Sequence, residues 1–223
     1  CKMHFYYINV DSQKIRNQNL IKQFEERNIK YTRIDAIKPE KEQPSKVDYE
    51  RCCTRSHIKA IETFLKNEDG NHCIICEDDL SFEFECFWTK PLEEIVKNAP
   101  NNWGVIQIAY ILQNIEPKFN GRAKYFNYKD LSVSGTLAYI INRKCALEIL
   151  DVFNKRNFLP TADCFRSGIY ASVEYNTQFD SYIYKYPMFT YPDNNDSLIG
   201  NSIELHVASK KQQIRYLKSI LNI

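Results

Sequence analysis

The sequence predicts a single α/β domain, and three observations carry that expectation. The opening reads strand, helix, strand; a second helix then leads into a third apolar strand; and no repeat or low-complexity linker divides the 223 residues. Met3 to Val10 (MHFYYINV) is a short apolar and aromatic run, read as a buried strand. Asp11 and Ser12 follow it and can cap a helix over about 13–27, where Leu20, Ile21 and Phe24 share one face. Residues 29–36 (IKYTRIDA) alternate as a second strand, and a strand–helix–strand unit of this kind builds a parallel sheet. Lys38 to Asp48 is polar, with two prolines, and is a candidate mobile loop. A second helix is expected from Arg51 to Lys66 on the stripe Ile58, Ile61 and Leu65. Asp69-Gly70 turns the chain into a strand at His72 to Cys76, which runs into Glu77-Asp78-Asp79. A helix near Leu92 to Asn98, a strand at Gly104 to Tyr110 and an irregular section with Tyr125, Phe126 and Tyr128 come next. Ser134 to Asn142 (SGTLAYIIN) is a strong strand, followed by a helix from Lys144 to Phe153 and a short helix opened by Pro160. Tyr182 to Tyr191 reads as extended, and Val207 to Leu221 as a basic amphipathic helix.

Composition narrows the function classes. Hydrophobic content of 43% with 26% charged residues is that of a globular protein with a sizeable core. The 30 basic and 28 acidic residues are well mixed, which argues against a nucleic-acid binder, because that task needs a clustered basic face. Eight cysteines are scattered without a repeated spacing, and the Cys73-x-x-Cys76 pair has no second pair to complete a zinc site. Reduced, scattered cysteines point to the cytoplasm. No apolar run approaches the roughly 18 residues that span a bilayer, so no transmembrane segment is expected. The first residue is Cys, which fits a trimmed start. Fifteen tyrosines suit polar pockets such as sugar sites, and they equally fit a compositional bias shared with the abundant Asn, Ile and Lys.

The chemistry centres on Glu77-Asp78-Asp79. In a parallel α/β sheet ligands bind at the carboxyl ends of strands, and this triplet directly follows one. Carboxylate oxygens suit hard cations such as Mn²⁺ and Mg²⁺, which bridge phosphates. Read alone, the triplet fits a solvated acidic turn equally well. Ser56-His57 is expected near the start of the second helix, where hydroxyls and cations make an anion site, or else an ordinary capped helix. Asp163 fits an N-cap, His206 a structural histidine between Leu205 and Val207, and Arg16 with Arg27 a solvated face.

Taken in order, these pieces resemble glycosyltransferase family 25, the lipooligosaccharide and procollagen galactosyltransferase family. The opening strand with Asn9 and Asp11, Arg16 on the first helix and Asp35-Ala36 closing the second strand are similar to that family's start. Ser56-His57, the run IICEDD ending at Asp79, the Gly-Thr strand SGTLAYIINRKCA and Pro160-Thr161-Ala162-Asp163 follow in the family's order. Residues 111–131 have no counterpart in the pattern, and the part after Tyr186 is only loosely similar.

The resemblance implies a GT-A type fold, a Rossmann-like mixed sheet flanked by helices, with residues 1–223 as one transferase domain. It implies an inverting, metal-dependent transfer of a sugar from a nucleotide diphosphate donor, UDP-linked, to a hydroxyl on a glycan or glycoprotein. Carried over residue by residue, Asp79 would ligate Mn²⁺ or Mg²⁺ with His206 as a further ligand. Glu77 and Asp78 would meet ribose or sugar hydroxyls, and Asn9, Asp11, Arg16, Asp35, Ser56 and His57 would complete the donor site. Asp163 would be the catalytic base. The loop 38–50 would close over the donor and exclude water. Two other readings compete: an inactive relative that binds a glycan or a partner, and a metal-dependent phosphohydrolase. The intact triplet disfavours the first, and the lack of a further Asp or His cluster disfavours the second.

Overall fold

A computed structural model describes residues 3–67, 70–111, 119, 121–131, 133–155, 168–192 and 203–223. Its centre is a seven-stranded mixed sheet in the order β2-β1-β3-β6-β4-β7-β5. The strands are β1 (Phe5–Asn9), β2 (Tyr31–Asp35), β3 (His72–Glu77), β4 (Trp103–Ile111), β5 (Tyr125–Asn127), β6 (Ser134–Asn142) and β7 (Asp180–Tyr184). The helices are α1 (Lys14–Glu26), α2 (Lys46–Lys66), α3 (Leu92–Lys97), α4 (Arg143–Lys155), α5 (Ile169–Asn176) and α6 (Ile203–Leu221).

The first three strands are parallel, with β1 between β2 and β3. All five residues of β1 are buried because the sheet is covered on both faces, which is why its sequence reads as a continuous apolar run. Its side chains divide by the two-residue period of a strand. Tyr6 and Ile8 enter one core with Phe64, Tyr139 and Tyr170, while Phe5 and Tyr7 enter the other with Leu20, Phe24 and Phe82. β6 then runs antiparallel between β3 and β4, so its beginning, Gly135-Thr136, lies beside the carboxyl end of β3.

Several boundaries differ from the sequence reading for identifiable reasons. α1 has Gln13 at its N-cap with no side-chain cap, so Asp11 and Ser12 do not cap it. It ends at Glu26, and Asn28, just past the Arg27 C-cap, takes φ 51°, the left-handed conformation that asparagine tolerates. α2 begins at Lys46, five residues before the expected Arg51, and takes the end of the presumed loop with it. Its first turn is fixed by a capping box: Ser45 Oγ accepts from the Asp48 amide, and Asp48 accepts from the Ser45 amide at 2.9 Å. That turn is polar, and hydrophobic spacing gives no sign of it. A 3₁₀ turn at Glu83–Phe87 and the buried α5 also lack a sequence signal, α5 because its first six residues are all buried and show no stripe.

Packing brings the C-terminal part of the chain back to the end of β3. Ser81, just past the acidic triplet, forms a bridge with Thr190 through paired backbone hydrogen bonds of 2.8 and 3.2 Å. α6 docks through Lys210 to Glu83 at 2.5 Å and through Gln213 to the Tyr110 carbonyl at 2.5 Å. Gly104 in β4 lets α4 approach, since a Cβ there would lie 2.5 Å from Cys145 Sγ. The expected helix at 160–166 lies outside the described residues.

Candidate functional site

The parallel register decides which polar groups meet. Asn9 pairs with Asp35 across β1 and β2, and Ile8 pairs with Glu77 across β1 and β3. The ends of three parallel strands therefore present Asn9, Asp35 and Glu77-Asp78-Asp79 on one edge. This is the edge where α/β sheets bind ligands. A cleft opens there, enclosing about 780 Å³ of partly solvent-open space. Arg16, Lys38, Cys53, His57 and all three acidic residues line it.

Asp78 is almost fully buried, at 8% exposure. A buried carboxylate needs donors, and Asn9 supplies one, donating from Nδ2 to Oδ2 at 2.7 Å. Arg16 approaches Asp78 Oδ1 at 3.3 Å and Asp79 Oδ2 at 3.9 Å. Burial nevertheless raises the Asp78 pKa above the ordinary aspartate value, against the lowering effect of Asn9 and Arg16. Arg16 is thus a half-buried counter-charge to the triplet and not part of a solvated face. Arg27, its presumed companion, instead pairs with Glu85 at 2.8 Å and lies over the Phe82 ring.

Glu77 is held from two sides. Thr136, at the start of β6, donates to its Oε1 at 2.7 Å, and His57 Nε2 lies 3.5 Å from the same oxygen. Burial pushes this carboxyl up, but His57, Thr136 and Arg16 outweigh it and hold it below the usual glutamate range. His57 is wholly buried and stacks near Tyr139, whose hydroxyl is 3.1 Å from Nδ1.

Ser56 and His57 do not stand at a helix N-terminus. α2 starts at Lys46, so both lie in its interior on the face turned to the core. Ser56 Oγ is fully engaged, accepting from the Ile37 amide at 2.8 Å and donating to the Cys52 carbonyl at 2.7 Å. Its visible work is to pin the segment leaving β2. Asp11 and Asp35 are exposed and are joined by Arg33, which reaches Asp11 at 2.7 Å, Asp35 at 2.7 Å and Asn9 Oδ1 at 2.9 Å. Arg33 holds the Asp11 carboxyl below its ordinary value through that hydrogen bond.

His206 is buried on α6 and stacks on Tyr191 with ring centroids 4.3 Å apart. Among the described residues neither of its ring nitrogens has a hydrogen-bond partner. Burial lowers its pKa, opposed by the charge of Glu77. Asp163 lies outside the described residues. Among those residues the three-member group of potential ligands is Cys53, His57 and Glu77, whose donor atoms all lie within 4.8 Å of one another; Asp79 and His206 form no such group. Thr136, Tyr139 and Arg33 carry no motif that marks them as site residues. Only the Gly-Thr pair at 135–136, where Gly135 takes φ +103°, hints at a special backbone beside the site.

The sequence profile of glycosyltransferase family 25 (LPS biosynthesis protein) matches residues 2–165. The chain belongs to that family. The matched span contains β1 through α4, hence every strand end that forms the cleft. No curated protein matches the chain. Two solved structures resemble it in part. A glycosyltransferase involved in the glycosylation of the major capsid of PBCV-1 is 9% identical at a TM-score of 0.48, covering 96% of this chain and 100% of that one. The A197 protein from STIV is 13% identical at a TM-score of 0.46, covering 85% and 84%. No helix among the described residues is long and apolar enough to cross a membrane.

Proposed function

We propose that this family 25 chain, as one GT-A type domain over residues 1–223, transfers a sugar from a UDP-linked donor to a hydroxyl on a glycan or glycoprotein, with inversion. The observation that carries the proposal is the meeting of Arg16, Glu77, Asp78 and Asp79 at one cleft on the carboxyl edge of parallel strands, with Asn9 hydrogen-bonded to Asp78. A diphosphate needs positive charge and fixed donors there, and a carboxylate pair is the donor set for the Mn²⁺ or Mg²⁺ that accompanies it.

The residues present fit such a cation. Asp78 and Asp79 are buried carboxylates that draw Arg16 between them, so the edge carries negative charge in need of compensation. Asp79 is assigned as metal ligand, and His206, whose pKa burial lowers, as a further candidate. When bound, the ion supplies Lewis acidity to the leaving diphosphate. Asn9 fixes the Asp78 carboxylate through its 2.7 Å hydrogen bond, and Thr136 does the same for Glu77. These two contacts orient the oxygens offered to ribose or sugar hydroxyls. Asp11 and Asp35, joined by Arg33, are assigned to the ribose on the family resemblance. Ser56 and His57 hold the cleft wall, and the segment 38–50, whose Lys38 and Pro39 already line the cleft, covers the donor. Asp163 is assigned as base on the family resemblance alone.

The test is nucleotide release from a panel of UDP- and GDP-sugars with and without Mn²⁺. Release that needs Mn²⁺ and disappears in Asp79→Ala supports the assignment. Absence of both turnover and binding for every donor would refute it.

A further inference from the structure

We infer that the inner end of the cleft contains a zinc-type site formed by Cys53, His57 and Glu77, distinct in chemistry from the hard-cation site at Asp79. It rests on the placement of three donors and does not require the chain to be an active transferase.

Cys53 and His57 are four residues apart on α2, a spacing that puts both side chains on one face of a helix. Glu77 ends the neighbouring β3, and the strand delivers its carboxylate to that face. The thiol sulfur, an imidazole nitrogen and a carboxylate oxygen then all lie within 4.8 Å of one another. Cys53 is not in a disulfide.

The histidine supplies the independent observation. His57 has no exposed surface, and its Nε2 makes no hydrogen bond among the described residues although it is buried. Its neighbour is Glu77 Oε1 at 3.5 Å, outside hydrogen-bond geometry, and an ion held by both groups would satisfy the nitrogen. The other nitrogen, Nδ1, is already engaged by the Tyr139 hydroxyl at 3.1 Å. Thr136 likewise engages Glu77 at 2.7 Å. Metal-ligating histidines and carboxylates are oriented by partners of this kind, and here both partners stand on β6.

The donor set selects the ion. One thiolate, one imidazole and one carboxylate suit Zn²⁺, and sulfur is a poor ligand for Mn²⁺ or Mg²⁺. Three protein ligands leave the fourth tetrahedral position for water, as in zinc sites that stay open. All three residues line the cleft assigned to the donor. On binding, the Cys53 thiol releases its proton to solvent and the sulfur enters as thiolate.

Cobalt substitution reads the site directly. The chelator-treated, reduced chain is titrated with Co²⁺, and the expected result is one equivalent bound. Its signature is a thiolate-to-cobalt charge-transfer band with the intense visible bands of a four-coordinate ion. One equivalent of Zn²⁺ bleaches them and excess Mn²⁺ does not. Cys53→Ser removes the charge-transfer band and weakens Zn²⁺ binding by more than about tenfold, whereas Cys52→Ser keeps both. Zinc-edge X-ray absorption on the unsubstituted chain needs no variant and should find one sulfur with nitrogen and oxygen donors. No thiolate band, a band that survives Cys53→Ser, or a zinc shell without a single sulfur would overturn the inference.

Discussion

Replacing Arg16 by Met tests the electrostatics of the cleft while keeping most of the apolar stem. The guanidinium lies 3.3 Å from Asp78 Oδ1 and 3.9 Å from Asp79 Oδ2, and both carboxylates are more than nine-tenths buried. A hydrogen bond to a charged group contributes about 1.5–3 kcal/mol net. Breaking a fully buried ion pair costs about 3–5 kcal/mol. Arg16 retains 19% exposure and Asn9 still donates to Asp78 in the variant, so the lower range applies. A loss of about 2 kcal/mol follows, which for a chain of this size lowers the melting temperature by about 4–8 °C. The sign with pH is fixed by linkage. Arg16 favours the ionised form of Asp78, so its stabilisation is present where Asp78 is charged and is lost as pH falls through the folded pKa. Burial places that pKa above the ordinary aspartate value, so the gap between wild type and variant should begin to close before ordinary carboxylates titrate. Thermal unfolding followed by circular dichroism at about pH 7 and at successively lower pH reads this directly. No gap near neutrality, or an equal gap throughout, would refute the reasoning.

Thr136→Val removes the hydroxyl that donates to Glu77 without changing shape, and should cost about 1–3 kcal/mol in urea unfolding at neutral pH. Because the folded Glu77 pKa lies below its ordinary value, that cost should fade as pH falls through the folded value. Gly135→Ala should lose about 1–3 kcal/mol, since φ +103° strains an L-residue and the new Cβ would meet Tyr191 Oη at 3.3 Å; an unchanged denaturation midpoint would contradict this.

Much of the sheet was legible because β1, β3, β4 and β6 are apolar runs with clear ends, whereas β5, three residues long and only half-buried, was read as irregular. IICEDD marks both a buried strand and the point where burial stops, and SGTLAYIIN coincides with β6 at both limits. The start of α2 was not legible, because Lys46 to Glu50 carry no apolar stripe and only the Ser45–Asp48 capping box marks the turn. That miss displaced Ser56-His57 from a supposed helix terminus to a buried face. The antiparallel placement of β6 likewise comes from pairing alone, and with it the reach of Thr136 to Glu77 and of Tyr139 to His57. The candidate residues that sequence could name and that line the cleft are Arg16, Ser56, His57 and the acidic triplet. Their supporting groups, Arg33, Thr136 and Tyr139, come from other strands and can be found only once the register is known.

The central claim is that Asp79 and its neighbours at the end of β3 form a cation-dependent nucleotide site. Calorimetric titration of UDP into the wild-type chain and into Asp79→Ala, with and without Mn²⁺, tests it most directly. The account predicts that Mn²⁺ strengthens UDP binding to the wild type by at least about tenfold, equivalent to about 1.4 kcal/mol, and leaves Asp79→Ala unaffected. Equal Mn²⁺ enhancement in both chains, or UDP binding indifferent to Mn²⁺ in the wild type, would contradict it.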